Sequence, residues 1–289
     1  MDKRYIANRV SVISIIVNIA LSAIKIVAGI IAHSTALISD AVHSMSDIVS
    51  TFAVIAGVNM GEREADKEHQ YGHERIESVF SIVLSMLLFL TGAGIGVAAI
   101  KSIITSSYKT TELPGILALI AALISIAVKE WMYHYTIRAA KRTSSTALKA
   151  DAWHHRSDAL SSVGSFAGVL FARMGYPICD PIAGIIICLF IIKAAWDVFI
   201  EAINQIVDKS ADEKTYDEIL RLVLSQEGVI AVDSLKTRLF GSRMYVDVEI
   251  ACDGEITLYE AHTIAEAVHD KIEEAFPDIK HCMVHVNPK

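Results

Sequence analysis

The chain has 289 residues, 53% of them hydrophobic, and a net charge of −7. That apolar share, with a positive mean hydropathy, argues against a wholly water-soluble protein and for one that crosses a membrane several times. The acidic balance argues against a nucleic-acid partner. Four cysteines without a CxxC pair argue against a disulfide framework or a zinc ribbon.

A membrane span needs roughly 20 apolar residues. Six stretches qualify: about 10–31, 35–60, 76–104, 113–137, 146–172 and 179–206. The first follows Lys3 and Arg4, exceeds a signal-peptide core and lacks a small-residue cleavage site, so it reads as a retained span. The fourth opens at Pro114-Gly115 and ends in Trp131, Tyr133 and Tyr135, a candidate interfacial belt. Basic residues gather at the N-terminus (Lys3, Arg4, Arg9), after the second span (Arg63, Lys67, Arg75) and after the fourth (Arg138, Lys141, Arg142, Lys149). The opposite loops offer Lys101, Lys109 and Arg173. The positive-inside rule then places both termini in the cytoplasm of a chain integral to a lipid bilayer, expected to be a prokaryotic inner or plasma membrane.

Near residue 209 the pattern changes. Residues 212–226 have helical periodicity, with Asp212 as N-cap and Gly228 as stop. Residues 229–240 and 243–251 read as a hairpin around Gly241-Ser242, residues 257–276 as an amphipathic helix ended by Pro277, and residues 281–286 as a last strand. The expected architecture is an all-α six-helix membrane bundle over 1–208. A small α+β domain of order αββαβ follows over 209–289.

Two of the spans carry the same pattern, A-L-x-x-D-A-x-H-x-x-S-D. It occurs at 36–47, with Asp40, His43 and Asp47, and at 147–158, with Asp151, His154 and Asp158. Residues three and four apart share a helix face. An Asp at the centre of a membrane helix costs roughly 2.5–3.5 kcal/mol on the insertion scale. Such residues face a bundle interior or a wet cavity and mark a function. With six spans, the second and fifth run antiparallel, and each His can sit beside the other helix's Asp. His43, Asp47, His154 and Asp158 together make a four-ligand nitrogen and oxygen site for a divalent metal. Asp40 and Asp151 lie a turn away and read as proton relay or helix–helix hydrogen bonding. His155 points about 100° from its neighbour and reads as packing or hydrogen bonding. The loop 62–75 adds Asp66, His69 and His73 beside Gly72, the chemistry and spacing of a second metal site.

The duplicated HxxxD, the D-x-x-H-x-x-G-H loop, the ADxxHxxSD opening of the fifth span and the αββαβ tail together resemble the cation diffusion facilitator family over essentially the whole length. The resemblance implies a ferredoxin-like or metallochaperone-like cytoplasmic tail on a homodimeric exporter that exchanges a cytoplasmic divalent metal for protons by alternating access. It assigns the transport site to His43, Asp47, His154 and Asp158, the loop site to Asp66, His69 and His73, and a charged interlock to Arg75 with Asp208. In the tail, the family's metal positions fall on Asp247 or Glu249, His262 and His285. Asp233 and Asn287 stand where some members carry His and Asp. The resemblance makes metal the substrate, and a possible regulator, rather than a cofactor.

The His2Asp2 set suits zinc, and also accepts manganese, iron, cobalt or cadmium. A manganese or iron(II) exporter is the alternative within the family, and a membrane metal sensor without transport is a remoter one. An intramembrane metallohydrolase would need an open metal position and a general base, and no HExxH-type pair is present. The chain is therefore not expected to be an enzyme.

Overall fold

A computed structural model describes residues 3–31, 35–106, 116–176, 178–241 and 243–289. It divides into two compact units, Met1–Ala202 and Ile203–Lys289. The first is helical: α1 (Lys3–Ile31), α2 (Thr35–Gly61), α3 (Arg75–Thr105), α4 (Ile116–Thr143), α5 (Thr146–Arg173) and α6 (Cys179–Ile206), whose last turn belongs to the second unit. Among the described residues, three stretches are long and apolar enough to cross a membrane: Lys3–Val27, Arg75–Thr105 and Pro181–Ile206.

Two helices outrun the apolar stretches that predict them. α1 starts at Lys3, and α4 continues to Thr143. A helix needs only its own backbone hydrogen bonds to continue, and Arg138, Lys141 and Arg142 are good helix formers beyond the apolar run.

All six helices share one buried cluster. Ala7 and Val10 of α1 join Val54 and Val58 of α2, Leu84 of α3, Ala139 and Ala140 of α4, Ala147, Leu148 and Ala150 of α5, and Val198 of α6. Small side chains let the helices approach, since lipid supplies no hydrophobic drive between them. Gly92 and Gly96 of α3 do the same against α6. A Cβ at Gly92 would lie 2.9 Å from Ile191, and one at Gly96 2.5 Å from Cys188 Sγ.

The start of α5 is fixed by α3. Ser145 accepts from the Leu148 backbone N–H at 3.1 Å as a cap, and its own hydroxyl donates to Glu77 Oε1 at 2.5 Å. Glu77 Oε1 also takes the Ala147 N–H at 3.5 Å, and Ser81 meets Thr146 hydroxyl to hydroxyl at 2.8 Å. A carboxylate at a helix N-terminus satisfies orphan donors and opposes the helix dipole. The segment that carries the second motif is thus pinned at its first turn.

The second unit contains α7 (Glu213–Leu224), β1 (Ala231–Phe240), β2 (Arg243–Cys252), α8 (Leu258–Ala275) and β3 (Ile279–Pro288). The sheet order is β1-β2-β3, with β1 antiparallel and β3 parallel to the central β2. Asp212 caps α7 by accepting the Thr215 N–H at 3.0 Å, and Thr257 with Glu260 forms a capping box on α8. Ile219 and Val223 of α7 and Val268 and Ile272 of α8 pack against Val246, Val248 and Ile250 of β2. Both helices therefore cover one face of the sheet. β3 runs two residues further at each end than the alternating run 281–286.

Candidate metal centres

Antiparallel packing brings the two motifs together. Asp47 of α2, and His154 and Asp158 of α5, place one ligand atom each within 4.8 Å of one another. His154 Nε2 lies 3.1 Å from Asp47 Oδ1. Asp47 is 2% exposed and Asp158 9%, so this is an interior site. His43 and Asp40 fall on α2, and their side chains lie outside the described residues. Asp151 is not in the group. It is buried one turn earlier, accepts from Thr51 Oγ1 at 3.3 Å, and has Oδ2 3.5 Å from His155 Nε2. Thr51 also donates to the Asp47 backbone carbonyl at 3.2 Å, so a single hydroxyl links the backbone of one motif to the carboxylate of the other.

A fourth ionisable residue sits in the site, and the motif reading missed it. Lys129 of α4 points its Nζ at Asp47 Oδ2, 2.6 Å away, and at Asp158 Oδ2, 2.8 Å away. It is only 1% exposed. The signal was present in the chain: a lysine deep inside an apolar span must find a counter-charge, and the two motifs supply more acid than base.

The loop between α2 and α3 folds around Asp66. Its Oδ1 accepts the backbone N–H groups of Glu68 at 2.9 Å and His69 at 2.7 Å. The His69 N–H above all, with the Glu68 N–H and the nearby imidazoles, holds this carboxyl below the usual carboxylate range against an opposing effect of desolvation. Gly72 takes φ of 97°, a conformation open to glycine, and donates to the His69 carbonyl at 3.0 Å. The chain thereby doubles back. His73 Nε2 comes to 3.4 Å from Asp66 Oδ2, and His69 Nδ1 to 3.5 Å from Asp66 Oδ1. His73 Nδ1 faces the Glu64 carbonyl at 3.2 Å. Donation to that carbonyl puts the proton on Nδ1 and leaves the Nε2 lone pair for a metal. Asp66, His69 and His73 form the second group with ligand atoms within 4.8 Å.

In the tail, Glu249 and His285 are register partners on β2 and β3, with Asp247 two residues away on the same side. His262 belongs to the helix layer on the opposite side and lies 3.3 Å from Glu266. Among the described residues no tail group of three ligand atoms forms within one chain. Asn287 and Asp233 are tied to each other, the Asn287 amide donating to the Asp233 carboxylate at 2.9 Å. Arg75 opens α3, and Asp208 follows α6 with φ of 58°.

Residues 11–207 match the cation efflux transmembrane domain, and residues 211–289 match the cation efflux protein cytoplasmic domain. The chain is 36% identical to an uncharacterized transporter of Methanocaldococcus jannaschii, with 96% of each chain covered. It is 29% identical to the manganese efflux system protein MneP of Bacillus subtilis, covering 99% of this chain and 98% of that one. It is 33% identical to metal tolerance protein C1 of Arabidopsis thaliana, over 94% of this chain and 60% of that one. Two adjoining domain matches and full-length relatives agree with the duplicated motif: the chain is an integral membrane protein of the cation efflux, or cation diffusion facilitator, family, with a helical transmembrane domain followed by a small cytoplasmic domain.

Proposed function

We propose that this protein exports a divalent metal, zinc first, from the cytoplasm in exchange for protons, with both termini cytoplasmic. The ligands are His43, Asp47, His154 and Asp158. The observation that carries the reading is the interior group of Asp47, His154 and Asp158 built across α2 and α5. Metal binding needs neutral imidazole and ionised carboxylate, so loading the site releases protons, and reprotonation from the other side releases the metal. Rocking of helices around a fixed midplane site then gives alternating access. Asp66, His69 and His73 hold a second ion near the mouth. Asp151 and Asp40 serve as relay or hydrogen-bonding groups.

The transmembrane domain spans 1–208 in this reading, and the tail 209–289 pairs with a second copy. Asp247, Glu249 and His285 stand on the sheet face that α7 and α8 leave open, where a second chain can complete a ligand set, and His262 stays on the helix layer of the other side. A manganese exporter is the second reading, and the named activity of the MneP relative favours it.

Flux into proteoliposomes, with a proton-sensitive dye inside and zinc, manganese and iron(II) tested in turn, decides. Zinc-driven proton counterflow is the expected result. Manganese flux exceeding zinc selects the second reading. Binding without flux of any ion leaves a sensor and overturns export.

A further inference from the structure

The Lys129 ammonium holds two carboxylates that a metal would need. It contacts one oxygen of Asp47 and one of Asp158, at 2.6 and 2.8 Å, and is 1% exposed. A zinc ion would take those carboxylates at about 2.0–2.2 Å. A divalent cation on the same two carboxylates would sit beside the ammonium, like-charged and shielded from water, so the two compete for them. We propose that Lys129 is a tethered competitor cation of the transport site: it closes the empty site by bridging Asp47 and Asp158, and the arriving metal displaces it. This rests on the metal reading of that site and adds a residue to it.

The device has two consequences. The first is selectivity. An incoming ion must outbind an ammonium already in place. A soft or borderline ion gains imidazole bonds from His154 in doing so. Magnesium prefers oxygen ligands and dehydrates reluctantly, and it gains little to offset the displaced lysine. Lys129 thus filters out the hard ion without any steric barrier. The second is return of the empty carrier. Two buried carboxylates without a counter-ion are costly to hold. The ammonium supplies the counter-charge while remaining protonated throughout: an arm swings in and out, and no lysine titration is involved.

The test is equilibrium zinc binding to the purified full-length chain in nanodiscs, with magnesium as competitor. The component of binding that Asp158→Asn abolishes is the site's own. In Lys129→Gln that component tightens about ten-fold, because the ammonium's bridge no longer has to be displaced, and magnesium begins to compete with it. A merely structural role would weaken zinc binding or leave it unchanged, and either result in a folded Lys129→Gln overturns the proposal. Lys129→Arg covers the case in which the glutamine variant does not fold. A guanidinium fork holds two carboxylates more firmly than an ammonium, so zinc binding weakens about three-fold. Equal or tighter binding in Lys129→Arg overturns the proposal. If Asp158→Asn abolishes no component, the metal reading itself fails and this proposal fails with it. If it does and Lys129→Gln binds as wild type, only the competitor role falls.

Discussion

His154 Nε2 and Asp47 Oδ1 lie 3.1 Å apart, although 107 positions separate them in the chain. The contact joins the His of one motif copy to the Asp of the other. Antiparallel helices with the same i, i+4 pair at similar depth produce this crossing, which keeps the two carboxylates from facing each other unshielded. The site is then a product of duplication and topology, and each half depends on the other helix.

Replacing Asp47 or Asp158 by Asn is expected to abolish zinc flux while the chain still folds. The amide keeps the volume but loses the charge that both metal and Lys129 require. Lys129 retains one carboxylate in either variant, so the buried ammonium is not orphaned. The double variant removes both partners, and its thermal unfolding should fall well below that of either single one, because an uncompensated buried charge costs about 3–5 kcal/mol. Wild-type flux in either single variant at low zinc would sink the ligand assignment.

Glu77→Ala is expected to lower thermal stability by about 1–2 kcal/mol, the range for losing a cap and a buried hydrogen bond. It should also reduce flux, because the first turn of α5 is held by Glu77 through Ser145 and the Ala147 N–H. Differential scanning calorimetry in detergent with parallel flux measures both. An unchanged unfolding temperature would mean that α5 is positioned by packing alone.

The contrast between Asp47 and Glu77 shows what a sequence exposes. The HxxxD pairs stand out because a charge inside an apolar run is costly and needs a counter-charge or a ligand, and helix periodicity then aligns them. The tail strands are legible from alternation, and Asp212 from its place before the periodic run. Glu77 reads as an ordinary first-turn acid, since its partner Ser145 is 68 positions away and only the packing of α3 on α5 reveals the contact. Lys129 falls between. Its position was visible, but the aromatic end of α4 is the louder signal in that helix, and only three-dimensional proximity connects the lysine to both Asp47 and Asp158. His262 illustrates the reverse failure. A family pattern groups it with Glu249 and His285, while in one chain the helix layer keeps it apart.

The tail should lose stability in alkali through Cys282. Burial, aided by Glu273 and Asp247, pushes this thiol up to about 12, against roughly 8.5 in an unfolded chain. A raised folded value means stability is fully present below the unfolded value and is lost as pH rises through the folded one. Urea unfolding of residues 209–289 should therefore show wild type weakening from about pH 9 upward, with a shallower decline in Cys282→Ala. In the same fragment, iodoacetamide at neutral pH should leave Cys282 unmodified until urea is added. Rapid alkylation of the folded tail would contradict the burial argument.

Zinc affinity during transport should strengthen as cytoplasmic pH rises from about 6 to about 7.5, because an imidazole must be neutral to bind metal. The carboxylates of the empty site already have Lys129 as counter-ion, so the imidazoles of His43 and His154 are the groups left to exchange protons with the metal. A protonated imidazole offers no lone pair, and each one that must be deprotonated adds a competing equilibrium. Because the groups share one site, the dependence belongs to the set rather than to one residue. The measurement is the zinc Michaelis constant against inside pH at fixed outside pH, and it should fall and then level once the imidazoles are neutral. Replacing both histidines by alanine should flatten the curve in whatever flux remains. A wild-type constant that does not move over this interval would rule out proton displacement at the site and leave facilitated metal diffusion as the mechanism.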